Sequence, residues 1–273
     1  MDITLALFLS LIDIKISAFL ICCFYKKFQF NKRFFIVLIL LKIPIISYVF
    51  KNISFNILFA FMLCFYGFIG FLAMFFSNYI YAINVHFITK LLATHLLFLC
   101  DKLLNLKVKV YGELPKNAII APQHQSLLEI IAITVYVEKP IFVFQKNLVF
   151  IPFLGHFIKS IGMIPVDRSK FNPEWLNLAI YALKSNQNLV IFPEGTRTKF
   201  DEVVPFKMGV FKLARLMNKK IIPVYIDTGL FWPKWCLFKK PGTAIIVFGH
   251  PIEPDPILLR KALKKLSKND QKP

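Results

Sequence analysis

The sequence predicts an α/β domain that is attached to a membrane by apolar helices at its N-terminal end. After residue 100, short β-rich runs alternate with runs of helical periodicity, a pattern typical of an α/β domain. Before residue 104, long apolar segments follow one another. The composition agrees, because 57% of the residues are hydrophobic while the formal net charge is +19. These two extremes together indicate a protein held in a bilayer whose exposed surface meets anionic lipid.

The charge balance and the cysteines exclude several other classes of protein. Lys and Arg number 34 against 15 Asp and Glu, which raises nucleic acid as a partner. We reject nucleic acid because the apolar excess has no place in such a protein and no binding motif accompanies the charge. The cysteines do not have metal-ligand spacing, and the histidines other than His124 are scattered. The sequence therefore predicts no nucleic-acid partner and no metal site.

The first two apolar segments are predicted to form a transmembrane hairpin. Residues 4–24 are long enough to cross a membrane but carry Asp13 and Lys15 in their middle. Residues 34–50, apolar apart from one lysine, are predicted to pair with them. The loop between the two segments is basic, and the positive-inside rule places it in the cytoplasm. Its charged residues are Lys26, Lys27, Lys32 and Arg33.

The next two segments differ from each other. Residues 53–76 hold no charged side chain and are the best membrane helix in the chain. Polar and basic side chains interrupt residues 80–104 at roughly helical spacing, and two alternatives stay open for them. They form either a helix lying in the membrane interface or a buried helix of the following domain. If the three earlier segments all cross, the chain leaves residue 76 on the cytoplasmic side.

The rest of the chain alternates predicted strands and helices and forms the α/β domain. The predicted strands are residues 108–111, 118–121, 141–144, 163–166, 189–192, 221–226 and 244–248. The predicted helices are residues 126–137, 173–185, 206–217 and 257–266. The predicted division of the chain is a hydrophobic extension, residues 1–52; a transmembrane helix with an amphipathic helix, residues 53–104; and a catalytic domain, residues 105–273.

A histidine and a carboxylate five residues apart mark the candidate reactive centre, His124 and Glu129. Residues five apart on a continuous helix do not share a face, so His124 must precede the helix. Ser126 and Glu129 form a capping box that starts the helix and lets Glu129 face His124. In the catalytic interpretation, the carboxylate fixes the tautomer of a histidine that accepts a proton. In the alternative, Glu129 only satisfies the Ser126 backbone N–H, and His124 is an ordinary loop residue.

Cationic side chains stand where predicted strands end. Arg168 follows the strand at 163–166, Arg197 closes the sequence Phe-Pro-Glu-Gly-Thr-Arg after the strand at 189–192, and Lys207 comes next. Each alone can be an ordinary surface charge or turn residue. In open α/β sheets, however, ligands gather at the carboxyl ends of strands. Guanidinium groups suit phosphate oxygens, so the combination predicts one anionic ligand near His124.

With these motifs in this order, residues 53–260 resemble the glycerolipid acyltransferase superfamily, most closely the bacterial 1-acylglycerol-3-phosphate acyltransferase family. The family's first motif is a histidine, four residues and an acid, matched by His124 and Glu129. Its second ends in an arginine, Arg168; its third is Phe-Pro-Glu-Gly-Thr-Arg, at residues 192–197; its fourth is an apolar run containing a proline, at residues 221–224. One departure is that the usual acid of the first motif is aspartate.

The resemblance implies that His124 takes the proton from the sn-2 hydroxyl of lysophosphatidate while that oxygen attacks an acyl thioester, giving phosphatidic acid for phospholipid biosynthesis. Glu129 orients His124. The residues implied in substrate binding are Arg168, Glu194, Gly195, Thr196, Arg197 and Lys207. No cofactor is implied beyond acyl-CoA or acyl-carrier protein as co-substrate. The implied location is the cytoplasmic side of the inner membrane, where the bilayer and acyl-carrier protein are partners.

Two other functions stay open at this point. An acyltransferase with these motifs can act on another lyso-lipid acceptor, such as a lyso-ornithine lipid or another lysophospholipid, because the motifs mark the chemistry more than the headgroup. From a different class comes a catalytically silent membrane protein that binds anionic lipid through its charge. A serine hydrolase is disfavoured, since no G-x-S-x-G sequence surrounds Ser126.

Overall fold

The computed structural model describes residues 32–73, 78–147, 163–166 and 174–268. Contacts divide the chain into two units, Met1–Phe50 and Lys51–Pro273. Of the first unit, the structure describes only the beginning of a long helix. The predicted segment at residues 4–24 and the predicted ligand Arg168 lie outside the described residues. The division into three regions at residues 52 and 104 stays a prediction.

Two long helices come first, α1 (Lys32–Ala73) and α2 (Asn78–Leu104). Residues 34–50 and 53–73, predicted as parts of two segments, lie in one helix, α1, which contains Pro44, and the predicted hairpin stays a prediction. Neither Lys51 nor Asn52, which interrupt the apolar pattern, prevents a helix from continuing. Within the described residues, one stretch, Pro44–Gly70, is long and apolar enough to cross a membrane by length and composition.

The part of α1 that belongs to the second unit has two different faces. One face packs on α2, where Phe55 is fully buried and the Tyr66 hydroxyl lies 2.7 Å from His95 Nδ1. Large apolar side chains three or four residues apart are exposed on the other face: Ile53, Ile57, Phe61, Phe65, Phe68 and Leu72. The C-terminal part of α2 buries Leu92, Leu96 and Cys100, which favours the buried-helix alternative for that part of residues 80–104.

Seven strands form one sheet. They are β1 (Leu106–Tyr111), β2 (Ile119–Pro122), β3 (Pro140–Gln145), β4 (Ile164–Val166), β5 (Asn188–Val190), β6 (Ile221–Ile226) and β7 (Gly242–Phe248). Their order is β1-β7-β6-β2-β5-β3-β4. All neighbours are parallel except β6 and β7. All seven predicted strands are confirmed. The strands β2, β5 and β6 therefore end at the same edge of the sheet.

Helices cover both faces of the sheet. They are α3 (Leu128–Tyr136), α4 (Glu174–Lys184), α5 (Gly209–Leu216) and α6 (Pro256–Lys268). The α3 helix packs with α2 on one face, where alternate strand residues such as Ile120 and Ile222 are buried. On the other face, α4, α5 and α6 bury residues of opposite parity such as Ile119 and Ile221. Successive strand residues are therefore buried on opposite faces, as a sheet covered by helices on both faces requires.

Candidate active site

The histidine lies in a short loop between β2 and α3, at the carboxyl edge of the sheet. The Gln123 backbone N–H donates to Val224 O at 3.1 Å and fixes the loop's start beside β6. His124 Nδ1 then lies 2.9 Å from Glu129 Oε1, so the predicted contact is confirmed. The His124 side chain is 14% exposed. Since Nδ1 faces the carboxylate, Nε2 is the ring nitrogen left for a substrate.

Glu129 is fully buried, and both of its oxygens accept hydrogen bonds. Besides His124, Oε1 accepts the backbone N–H groups of Gln125 at 2.8 Å and Ser126 at 2.7 Å. Oε2 accepts the Thr228 hydroxyl at 2.7 Å. One carboxylate thus satisfies the Ser126 backbone N–H and also contacts the histidine, while the catalytic role of the pair stays a prediction. A buried carboxylate with this many donors is held firmly in one position.

Thr228 was not anticipated from the sequence. It lies in a short 3-10 turn, Thr228–Leu230, directly after β6, and it is fully buried. Its hydroxyl occupies the Glu129 oxygen that faces away from His124, so it helps to set the rotation of the carboxylate. The only sequence signal was its position just beyond the predicted strand at 221–226.

An aromatic ring supports the imidazole. The ring of Phe192, the first residue of the Phe-Pro-Glu-Gly turn, stacks on the His124 ring with centroids 3.9 Å apart and planes at 21°. Phe142 from β3 stacks in turn on Phe192, with centroids 6.4 Å apart. The imidazole is therefore held by a hydrogen bond at one edge and by stacking on one face.

The turn after β5 brings a second carboxylate to the histidine loop. The Gly195 N–H donates to Phe192 O at 3.0 Å, and Gly195 has φ +70°, a backbone conformation that favours glycine. Glu194 Oε2 accepts the His124 backbone N–H at 2.6 Å. Among the described residues, Glu194 forms no ion pair with Arg197. Glu194 instead connects the turn to the backbone of the histidine.

Burial raises the pKa of Glu194 to about 8, with the neighbouring Glu129 carboxylate adding to the effect and the His124 N–H and Arg260 opposing it. At neutral pH this carboxyl group is therefore protonated. A protonated carboxyl group can donate a hydrogen bond as well as accept one. The Glu194 carboxyl group can thus donate a hydrogen bond to a ligand oxygen beside His124.

The predicted cations flank this turn. Arg197 is partly exposed, and its guanidinium carbon lies 5.3 Å from the centre of the Trp235 ring. The Lys207 backbone N–H donates to Pro193 O at 2.7 Å, and its exposed side chain runs past Gly195. Thr196, directly before Arg197, is exposed. Arg197 and Lys207 are therefore on the same turn region, while a shared anion and the role of Arg168 stay predictions.

Two further residues, Thr198 and Gln125, tie the site together through two hydrogen bonds each. The backbone N–H and the hydroxyl of Thr198 both donate to His124 O, at 2.7 and 3.1 Å. The Gln125 side chain donates to Ile226 O and accepts the Gly229 N–H. The backbone N–H groups of residues 124, 125 and 126 all donate to carboxylates of the site. They are not available to a substrate oxyanion without breaking these bonds.

The described residues hold no group of three or more His, Cys, Asp and Glu that could bind a metal ion. The chemistry that the geometry does support is proton transfer. A histidine backed by a buried carboxylate can take a proton from a hydroxyl group, and the cations beside it can hold an anionic part of the same molecule.

Comparison with known proteins identifies the class. Residues 106–227 match a family model described as Acyltransferase. The chain is 35% identical over 161 residues to a 1-acyl-sn-glycerol-3-phosphate acyltransferase of Saccharomyces cerevisiae, covering 55% of this chain and 53% of that protein. A Bacillus subtilis protein of the same name is 30% identical over 151 residues, covering 53% of this chain and 73% of that protein. The chain belongs to the acyltransferase family that includes these proteins.

A solved structure supports the fold. The crystal structure of the 1-acyl-sn-glycerophosphate acyltransferase PlsC from Thermotoga maritima matches with a TM-score of 0.62 and 24% identity. The match covers 82% of this chain and 94% of that one. Several of the curated relatives, the yeast protein among them, are matched over only about half of their own length.

The Glu194 carboxyl group predicts a specific pH dependence of stability. Its pKa is about 8 in the folded protein and about 4.5 when exposed. Between these values the unfolded chain has lost the proton and the folded chain has kept it, so the free energy of unfolding falls as pH rises through this window. Glu194→Gln cannot ionise and should lack this decline.

Denaturant unfolding in detergent, at several pH values from about 4.5 to 8, measures this difference. Glu113→Gln, at an exposed carboxylate, is the control and should follow the wild type. If the wild type and Glu194→Gln change in parallel across the window, Glu194 does not hold its proton at neutral pH.

Proposed function

We propose that this protein transfers an acyl group from acyl-CoA or acyl-carrier protein to the sn-2 hydroxyl of 1-acylglycerol-3-phosphate. The product is phosphatidic acid. Membership of the acyltransferase family supports the reaction class, and the names of the matched relatives support the acceptor. The observation that carries the proposal is the contact of His124 with a buried carboxylate that accepts four hydrogen bonds.

In the proposed mechanism, Nε2 of His124 accepts the proton of the acceptor hydroxyl as its oxygen attacks the thioester carbonyl. The resulting imidazolium is stabilised by Glu129 through the Nδ1 hydrogen bond. The C–S bond then breaks, and the leaving thiolate takes the proton from the imidazolium. This general-base step is expected to supply about 10²- to 10⁴-fold of the rate enhancement. No acyl-enzyme is formed.

The phosphate of the acceptor is held by the cations around the turn after β5. Arg197 and Lys207 lie on that turn region, and Arg168 follows β4 in the sequence. Gly195 and Thr196 directly precede Arg197 on this turn, where they contact the acceptor, and the protonated Glu194 donates a hydrogen bond to an oxygen of the acceptor lipid. Binding at these cations converts an encounter at the membrane into a geometry suited for attack.

The proposed setting is a bacterial inner membrane, with the site on the cytoplasmic side, where acyl-CoA and acyl-carrier protein are available. The apolar stretch of α1 and the excess of basic residues support membrane association.

The acceptor is tested with purified protein in mixed micelles, using acyl-CoA or acyl-carrier protein as the donor. Lysophosphatidate, lysophosphatidylcholine and lyso-ornithine lipid are compared as acceptors. We expect lysophosphatidate to be preferred with at least one donor. Arg197→Ala should lower kcat/KM for lysophosphatidate by about tenfold or more, since a charge-assisted contact contributes about 1.5–3 kcal/mol.

Lys212→Ala is the matched control, because Lys212 is an exposed cation on α5. It should leave the rate unchanged. If the wild-type enzyme acylates only a neutral lyso-lipid and Arg197→Ala has no effect, the acceptor is that lyso-lipid and not lysophosphatidate. No transfer to any acceptor from either donor would contradict the proposed activity.

A further inference from the structure

We infer that the segment of residues 230–238, here called the aromatic loop, inserts into the headgroup region of an anionic lipid bilayer. The loop begins at Leu230, the last residue of the 3-10 turn that contains Thr228, and leads toward β7. Its sequence, Leu-Phe-Trp-Pro-Lys-Trp-Cys-Leu-Phe, combines aromatic and aliphatic side chains with one lysine. This inference does not depend on acyl transfer, since it concerns what the loop touches.

Three apolar side chains of the loop are exposed. Trp235 is 82% exposed, the largest value among the exposed large hydrophobic side chains of the described residues, and Leu237 and Leu230 are 62% and 42% exposed. Trp232, three residues before Trp235, is only 8% exposed. The same short segment thus buries one tryptophan and presents the other. Exposing a full indole ring to water forfeits favourable burial, so a surface that covers it would be stabilising.

The aromatic loop is held firmly in place by α1. Trp232 packs edge-on against Phe55 and Phe59, with ring centroids 5.5 and 5.8 Å apart. Beyond the loop, the Lys239 N–H donates to Asn52 Oδ1 at 2.7 Å, and the Lys239 ammonium group bonds Asn56. These contacts fix the base of the loop and leave its outer side chains exposed.

The backbone at Trp235 adds a second sign of function. Its φ is +61°, a left-handed conformation that bulky residues rarely adopt. Strained positions of this kind persist where the surroundings determine the conformation, and they cluster at functional sites. The Cys236 N–H donates to Pro233 O at 3.2 Å and closes the turn that presents the indole ring.

Two cations flank the exposed ring. Arg197 lies 5.3 Å from its centre and the Lys234 ammonium group 6.0 Å. A tryptophan beside basic side chains is the combination found at the headgroup level of membranes, where the ring is partly apolar and the cations meet lipid phosphates. The net charge of +19 favours an anionic partner. An anionic bilayer supplies both the apolar and the charged contacts.

The loop is also continuous with the exposed face of α1. Asn56 Nδ2 donates to Leu237 O at 2.9 Å, so Leu237 lies beside that part of the helix. The next residue along α1, Ile57, is 64% exposed, and Ile53 beside Asn52 is also exposed. The loop and this helix face are therefore neighbours that meet at Asn56. A folded acidic protein would have to cover both, whereas a bilayer does so without a shaped partner.

Tryptophan fluorescence in vesicles tests the inference. The chain has three tryptophans, so the emission of Trp235 is the difference between the wild type and Trp235→Phe. Both are reconstituted as full chains into vesicles of phosphatidylcholine with phosphatidylglycerol, some carrying bromine atoms near the headgroup and others bromine at the chain end. We expect the Trp235 emission to be quenched, and more strongly by the shallow bromine.

Trp175→Phe is the matched control, because Trp175 is on α4, on the face of the sheet opposite α2 and α3. Its removal should leave the lipid-dependent quenching unchanged. Leu237→Trp in the Trp235→Phe background should restore quenching. Lys234→Ala should weaken it in vesicles with phosphatidylglycerol but not in phosphatidylcholine alone. Equal quenching of the wild type and Trp235→Phe would overturn the inference. Shielding of the Trp235 ring from the quencher that depends on protein concentration and not on lipid would also overturn the inference.

Discussion

Replacing His124 with alanine is expected to lower kcat for acyl transfer by about 10²- to 10⁴-fold. A histidine can accept a proton from a hydroxyl group, and this imidazole is held in one orientation by the Glu129 carboxylate at Nδ1 and by the stacked Phe192 ring. Phosphatidate formation from acyl-CoA and lysophosphatidate measures the loss. KM for lysophosphatidate should change little, because we propose that cationic residues other than His124 hold the phosphate.

His250→Ala is the control for this variant, since His250 is exposed on the segment after β7 and should not affect turnover. A His124→Ala enzyme with the turnover of the wild type would show that His124 is a loop residue without a catalytic role. Loss of activity with loss of folding, measured by circular dichroism, would make the variant uninformative about catalysis, so His124→Asn, which keeps a polar side chain, is measured with it.

The second large effect is expected for Glu129→Gln. The carboxylate accepts hydrogen bonds from two backbone N–H groups, the Thr228 hydroxyl and His124. An amide of the same shape is neutral and has only one oxygen, so it loses the charge that strengthens these hydrogen bonds, and its NH₂ group replaces one acceptor with a donor in a buried site. We expect the free energy of unfolding to fall by about 1–3 kcal/mol. Turnover should fall as well, because the amide does not stabilise the imidazolium.

Glu138→Gln is the control, at an exposed carboxylate just beyond α3. Glu129→Asp separates the two effects of the main variant. It keeps the charge but shortens the side chain, so it should retain more turnover than Glu129→Gln. If Glu129→Gln retained both the stability and the turnover of the wild type, the hydrogen bonds of Glu129 would support neither folding nor catalysis.

The sequence predicted the strands because their apolar runs are short, β-branched and bounded by glycine, proline or polar residues. The run at 221–226 was placed with its exact ends, as every residue of it is buried. The helix predicted over 206–217 begins at Gly209, because residues 206 and 207 connect the active-site turn to the helix. The antiparallel pairing of β6 with β7 was not predicted, since strand direction depends on contacts between distant segments.

For the candidate site, the contact of His124 with Glu129 followed from local geometry, because five residues and one helix start determine it. The contributions of Thr228, Thr198 and the stacked Phe192 ring come from segments at least 68 residues away in the chain and could not be deduced from spacing. The same is true of Trp235, which approaches Arg197 only in the folded chain.

The position of the new acyl chain in the product tests the proposed reaction most directly. Purified protein is supplied with 1-acyl lysophosphatidate and an acyl-CoA whose acyl chain carries an isotopic label, and the product is then digested with phospholipase A2, which cleaves at sn-2. We predict labelled phosphatidate that releases its label as free fatty acid. Label retained at another position, or label that appears only in a different lipid when several lyso-lipids are present together, would contradict the proposal.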